Sequence, residues 1–422
     1  MKRRRRLFVL SLLVLATACG GSAASPATSP VAADVDAIVA HVERVHPQPW
    51  HDVARADFVA AAERLKARLP ELDDDQTLVE LMRLVALLGP RDGHSGIFPL
   101  DGQHRRQLHL YPLRLYAFDD GLRVVGPDAS LVGLRLTAIA GVPVERALAA
   151  VGPLVPGDNE WSRRAREAHW LVVAEVLHGV GVTASAGAAS FAFARDDGTT
   201  IERMLAPVTA DAYRRANPDL WHAMVPQGLP QRAKPAFLAR RNLAGWTARL
   251  DRGRVVYVAY NRTLGWSGDL ADRVRRLARA RSVRGIVLDL RHNPGGENRA
   301  YAPLLDALVA LGRRERLVVL TSRTTFSAAA NLLSDLEART RVRIVGEPSG
   351  GSPNLVGDPS PLLLPASGWN VNVGTVWWRK SRRGAGDPRL AFEPDVRVPI
   401  RWADLSAGRD VALVAALVAA RA

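Results

Sequence analysis

VVYVAY (255–260), GIVLDL (285–290), RLVVLT (316–321) and VRIVG (342–346) are short, nearly continuous apolar runs. Segments of helix-forming composition separate them at 268–281, 298–312 and 327–339. Strands apolar on both faces, with helices between, predict a parallel or mixed sheet covered on both sides. In such sheets the side chains that do chemistry gather in loops after the carboxyl ends of strands. Two loops fall there: RHNPGGEN (291–298) and SRTTFSAAAN (322–331).

Local chemistry leaves each loop with two readings. Consecutive glycines at Gly295 and Gly296 let backbone amides face an incoming oxygen, as in half of an oxyanion hole, but they equally suit a tight strand-to-helix turn. Ser327 opens a run of helix formers, so it is either a nucleophile at the positive end of a helix or an ordinary N-cap. A serine nucleophile also needs a base within hydrogen-bonding reach and a group that orients the base. Among the ten histidines, His94 in the Gly-flanked loop RDGHSG has the setting least like helix surface or core. His292 lies in the glycine turn. No HxxxH or HExxH pattern occurs, so neither a metal nor another cofactor is expected.

Upstream, Asp34 to Leu88 is helical in pattern: Ile38, Val42 and Val45 share a face, as do Phe58, Ala62 and Leu65, and then Leu78, Leu81, Met82, Val85 and Leu88. The acidic run Asp73–Asp75 suits the start of the last of these helices. We expect an N-terminal helical domain at 34–100, a β-rich segment at 105–155 opened by a hairpin at Asp119-Asp120-Gly121, a connecting α+β region at 156–240, and the sheet core at 241–422.

The start, MKRRRRLFVLSLLVLATAC, has a basic head, an apolar run from Leu7 to Leu15 and small residues before Cys19. That is the layout of an export signal, too short for a comfortable membrane span. Cys19 is the only cysteine, so no intrachain disulfide forms. It stands where bacterial lipoprotein signals are cleaved and lipidated. The expectation is a signal at 1–18, a flexible tether at 19–33, and a protein exported to the bacterial cell envelope and lipid-anchored through Cys19. Of the net +15, Lys2 and Arg3 to Arg6 supply five, leaving 15 − 5 = +10 on the mature chain. The densest basic run, DLADRVRRLARAR (269–281), sets apolar residues on one helical face and arginines on the other. It reads as a solvated helix, and no nucleic-acid partner is expected.

The ordered set GIVLDLRHNPGGEN, LTSRTTFSAAANLL, VRIVGEPSGGSPN and FEPDVRVPI resembles the tail-specific or C-terminal processing serine peptidases, a superfamily that includes the tricorn core and the interphotoreceptor retinoid-binding modules. HPQPWHDV and LVELMRLVALLGPRDGHSGIFP resemble the helical region of secreted bacterial members, and LVGLRLTAIAGVPVERAL resembles the later half of a degenerate PDZ-like module. The resemblance implies an α/β fold: a crotonase/ClpP-like mixed sheet core with helices, after an N-terminal helical domain and a PDZ-like β-rich segment. It implies Ser327 as nucleophile, with amides of Gly295, Gly296 and Ala328 as the oxyanion hole. Members of the Ser/Lys type place their lysine base where this chain has Ser352, and Lys380 is the only later lysine. The tricorn-like branch uses a histidine from the preceding domain, which maps onto His94. Asp387 and Glu393 stand nearest its acidic residue. Asn331 departs from a glutamate that processing proteases carry in this helix. The implied activity is an exported serine endopeptidase acting on a peptide or protein substrate. A non-catalytic ligand- or peptide-binding module, and acyl-group chemistry on a crotonase-like core, are the alternatives.

Overall fold

The computed structural model describes residues 29–217 and 235–421, so the signal segment 1–18, Cys19 and most of the 19–33 tether lie outside the described residues. One six-stranded sheet runs in the order Val396–Arg397, Val342–Gly346, Arg316–Thr321, Gly285–Asp289, Val255–Tyr260, Gly245–Leu250. Neighbours are parallel except the last pair, where Gly245–Leu250 forms an antiparallel edge.

The apolar runs are buried on both faces because alternate side chains enter different cores. Val256, Val258, Ile286, Leu288 and Val319 meet the side covered by helices Gly268–Ala278, Ala302–Leu311 and Ala328–Arg339. Val255, Tyr257, Val287, Val318 and Val345 meet the C-terminal helix Val411–Arg421 through Leu413, Ala416 and Ala420. That helix lies so close that a Cβ on Gly285 would sit 2.4 Å from the Ala420 carbonyl oxygen.

In the N-terminal half, helices Val31–Val45, Arg55–Arg68 and Asp74–Ala86 follow the apolar periodicity. The first begins inside the segment read as tether. Asp73 and Gln76 form a capping box at the third. These helices have no core to themselves. Ile38, Phe58, Leu78 and Val85 belong to one cluster with Leu115, Leu136, Phe191 and Phe193 of a second, antiparallel sheet. Its strands are Leu113–Phe118, Gly121–Pro127, Arg135–Ile139, Ala189–Ala194 and Thr200–Leu205, with Val142–Pro143 added beside Arg135–Ile139. The pairing of Arg135–Ile139 with Ala189–Ala194 carries the sheet across the expected boundary at 155.

A long antiparallel hairpin, Asn354–Leu363 with Asn370–Arg379, joins the halves. It leaves the core after the GEPSGGSPN loop and packs against the first helix. The RDGHSG loop docks on it: Val356 N–H donates to the Arg91 carbonyl at 2.8 Å, and Gly96 and Asn372 exchange backbone hydrogen bonds at 2.9 and 3.0 Å. Gly374 N–H donates to Ser95 Oγ at 2.9 Å. The hairpin carries the N-terminal loop to the core sheet.

Candidate active site

Ser327 sits between strand Arg316–Thr321 and helix Ala328–Arg339, at φ 54° and ψ −126°. A β-carbon is strained in that region by roughly 1–3 kcal/mol, so the surroundings must hold the residue there. It makes no capping hydrogen bond, which removes the N-cap reading. The strained turn instead turns the side chain outward, as a sharp strand-to-helix elbow does for a nucleophile. Buried Arg323 and Glu347 pair below it, with Nη2 to Oε1 at 2.5 Å and Nε to Oε2 at 2.9 Å, tying the serine loop to the GEP loop. Gly351 lies close enough that a Cβ there would stand 2.5 Å from Ala330 Cβ and 3.3 Å from Ser327 N.

Of the oxyanion candidates, Gly295 packs on this elbow and Ala328 follows it in the chain, while Gly296 packs on Thr263. Gly295 has φ 107°, and a Cβ on it would lie 2.5 Å from Ser327 Cβ and 2.9 Å from Ala328 N. Asn293 organises this loop: its Nδ2 donates to the Tyr260 carbonyl at 2.9 Å, its Oδ1 accepts Gly295 N–H at 3.0 Å and Thr263 Oγ1 at 3.2 Å, and its carbonyl accepts Phe326 N–H at 3.1 Å. Since the Gly295 amide is engaged, the donors without a hydrogen-bond partner among the described residues are Gly296 N–H and Ala328 N–H. Arg291 anchors the strand end through Asp289 and Asp410, at 2.6 and 2.7 Å. Gly295→Ala is expected to lower hydrolysis by at least about 10²-fold with the fold retained, because the methyl would displace the elbow that sets the oxyanion donors. Steady-state kinetics beside far-UV circular dichroism checks this.

His94 reaches Ser327 from the N-terminal half: Nε2 is 2.9 Å from Oγ. Its ring stacks on Phe326, centroids 4.7 Å apart, and the guanidinium of Arg166 lies 4.6 Å from the other partner of that stack. Arg166 donates to the Gly93 and Pro156 carbonyls, both at 2.7 Å. Asp158 accepts Gly93 N–H at 2.9 Å through one oxygen and Ser352 N–H at 3.0 Å through the other. Ser352, where the lysine branch keeps its base, thus helps to fix the loop that carries the histidine. Below, His46 Nε2 meets Asp92 Oδ2 at 2.9 Å, and Ser95 Oγ donates to Asp92 Oδ1 at 2.5 Å.

Burial pulls the His94 imidazole down to about 4; nearby Arg166 pulls the same way, while Asp92 and the Val356 carbonyl oppose it. The residue keeps a partly exposed edge, as does Ser327. Burial pushes Asp158 up to about 7 against its two amide donors and Arg166. Around neutral pH the His94 imidazole is therefore neutral, the form that can accept a proton.

No carboxylate among the described residues hydrogen-bonds His94. His94 Nδ1 has no hydrogen bond of good geometry, and the Val356 carbonyl is the acceptor that faces it. Asp387 is buried but bound elsewhere, accepting from Ser381 Oγ and from Arg389 Nη2 at 2.8 Å. Despite burial, these donors hold its carboxyl well below the usual range. Arg389 also bridges to Glu337 at 2.8 Å, so Asp387 belongs to a surface-side ion network, and only its carbonyl touches the loop, through Arg91. Glu393 is exposed beside Arg382 and Arg383. The acidic third member expected at Asp387 or Glu393 is corrected accordingly. Lys380 pairs with Asp335 at 2.7 Å, and Asn331 donates to Asn298 at 2.7 Å. His292 stacks on Phe237. Asn293, Asp158 and Arg166 were not singled out from sequence. Asn293 lies inside a quoted motif, but the other two belong to a region without a clear pattern.

No protein-family model matches the chain, and no curated protein matches it. Solved structures do. The chain is similar to mature CPAF complexed with lactacystin, with TM-score 0.62 and 12% identity over 90% of this chain and 95% of that one. Mature CPAF alone gives TM-score 0.61 and 13% identity over 90% and 94%. The photosystem II D1 C-terminal processing protease aligns more loosely, with TM-score 0.41 and 14% identity over 87% and 92%. Over nine tenths of its length the chain takes the fold of mature CPAF.

Proposed function

We propose that this protein is a serine endopeptidase working through a Ser327–His94 dyad. The observation that carries the reading is the 2.9 Å contact between His94 Nε2 and the Oγ of a serine held at positive φ. With the Nδ1 proton toward the Val356 carbonyl, Nε2 accepts the Ser327 proton as Oγ attacks the peptide carbonyl carbon. The tetrahedral oxyanion is met by the Ala328 and Gly296 amides, at the N-terminus of a helix whose dipole favours negative charge. The imidazolium then protonates the leaving amine, and the C–N bond breaks to leave an acyl group on Oγ. A water, deprotonated by the same nitrogen, hydrolyses the ester and restores the serine.

The proposal extends to location. The antiparallel sheet is read as the PDZ-like part, and Cys19 as a lipidated anchor holding the enzyme in the bacterial envelope. No helix among the described residues is long and apolar enough to cross a membrane. In cells, Cys19→Ser is expected to move the protein from the membrane fraction to the soluble envelope fraction.

The activity is tested with a fluorophosphonate probe. Wild type labels covalently at Ser327, located by peptide mass mapping, and Ser327→Ala does not label. Equal labelling of Ser327→Ala would remove the nucleophile assignment. A folded wild type that fails to label would move the reading to a peptide-binding module.

A further inference from the structure

The serine peptidase reading leaves open which substrate side chain the site selects, and the loop beside the oxyanion glycines bears on it. We propose that Leu264 and Trp266 form an apolar subsite for a large apolar side chain flanking the scissile bond; the proposal rests on the peptidase reading.

The loop 261–267 leaves the carboxyl end of Val255–Tyr260, the strand next to the one that feeds the oxyanion loop. It is fixed to that loop. Thr263 N–H donates to the Gly295 carbonyl at 2.9 Å, and Glu297 N–H donates to the Thr263 carbonyl at 2.7 Å. Thr263 Oγ1 meets Asn293 Oδ1 at 3.2 Å. Thr263 and Ser267 are buried, whereas Leu264 is 56% and Trp266 71% exposed, the latter the highest value among the exposed large apolar side chains described. A loop anchored at Thr263 and Ser267 that presents a leucine and a tryptophan to water makes a prepared contact surface.

Its position relative to the nucleophile follows from the two glycines. A Cβ on Gly295 would touch Ser327 at 2.5 Å, and a Cβ on Gly296 would lie 3.2 Å from Leu264 Cδ2. The two adjacent glycines thus link Ser327 on one side to Leu264 on the other, and Trp266 stands two residues further along the same loop, against Gly268. The occupant is an extended peptide, because the Leu264, Gly265 and Trp266 amides have no hydrogen-bond partner among the described residues and can pair with a substrate main chain. The one charged side chain of the loop, Arg262, is turned away to the Asn242 carbonyl at 2.8 Å. Nothing in the loop itself is thereby offered to a charged substrate side chain, and an apolar one is favoured.

Internally quenched peptides varied at the residues on each side of the cleaved bond test the subsite. Wild type is expected to prefer Leu, Met or Phe over Asp, Lys or Gly at one of these positions by about 10–200-fold in kcat/KM. The double variant Leu264→Ser/Trp266→Ser should lose at least about tenfold of that preference. Its rate of labelling by diisopropyl fluorophosphate, too small to fill the subsite, should equal wild type. Selectivity unchanged in the variant would overturn the subsite. Parallel loss of small-probe labelling would overturn it too, by showing that the loop only supports the oxyanion glycines. Failure of wild type to label at all would instead overturn the nucleophile assignment beneath it.

Discussion

Replacing Ser327 with glycine is expected to abolish hydrolysis and to leave the protein more stable than the alanine variant. Either substitution removes the attacking oxygen, and kcat/KM should fall by at least about 10⁴-fold, leaving only what the oxyanion donors and binding contribute. The variants part in stability. Alanine keeps the β-carbon that the φ of 54° strains, whereas glycine does not. Relief of roughly 1–3 kcal/mol is offset by about 0.5–1 kcal/mol of extra backbone entropy lost on folding. The net places Ser327→Gly above Ser327→Ala by on the order of 1 kcal/mol, about 1–3 °C in Tm for a chain of this size. Calorimetry of the two variants checks it; a glycine variant melting at or below the alanine variant would show that the elbow is not strained.

The second large effect concerns His94. His94→Ala should lower kcat/KM by about 10³–10⁴-fold, since the serine loses its proton acceptor. In wild type the imidazole must be neutral to accept that proton, and burial places its pKa near 4. The acid limb of kcat/KM is therefore expected near pH 4, with activity already full at pH 6, where an unperturbed histidine would be largely protonated. An acid limb near 6.5 would show that solvent reaches the imidazole freely. Stability shifts with the same proton. The unfolded chain protonates His94 near its ordinary value, so the neutral buried ring contributes fully above about pH 6.5, and that contribution falls away as pH drops towards 4. Asp158, pushed up to about 7, takes up a proton on folding at acid pH and works in the opposite sense. The rate profile is consequently the cleaner readout of His94.

Much of the core was legible because its signals are local. The run 255–260 is strand over its full length, as are 316–321 and 342–346, since nearly all their side chains are buried on one face or the other, Arg316 and Arg343 being the exposed exceptions. The glycine motif and Ser327 could be placed after strand ends for the same reason. Of the hairpin 354–379 only the second arm, an alternating strand before Lys380, is legible in the sequence; the first arm passes from core to solvent and carries no single period. The boundary at 155 misled because partners more than fifty residues apart complete the second sheet.

The sequence by itself determined the sheet core, the loops at its carboxyl edge, and two candidate roles for the serine in TTFSAAAN. Tertiary structure alone removes the capping role and sets Ser327 beside His94. Whether a serine caps a helix or faces a base depends on a backbone angle imposed by Arg323, Glu347 and the glycines packed around it, and on a histidine 233 positions away delivered by a hairpin. The tertiary structure also holds His94 by stacking on Phe326 and by Arg166 and Asp158 gripping the Gly93 backbone, with no carboxylate among the described residues on its Nδ1. Those contacts join segments distant in sequence, and a hydrogen bond of 2.9 Å forms only where folding has already fixed both ends.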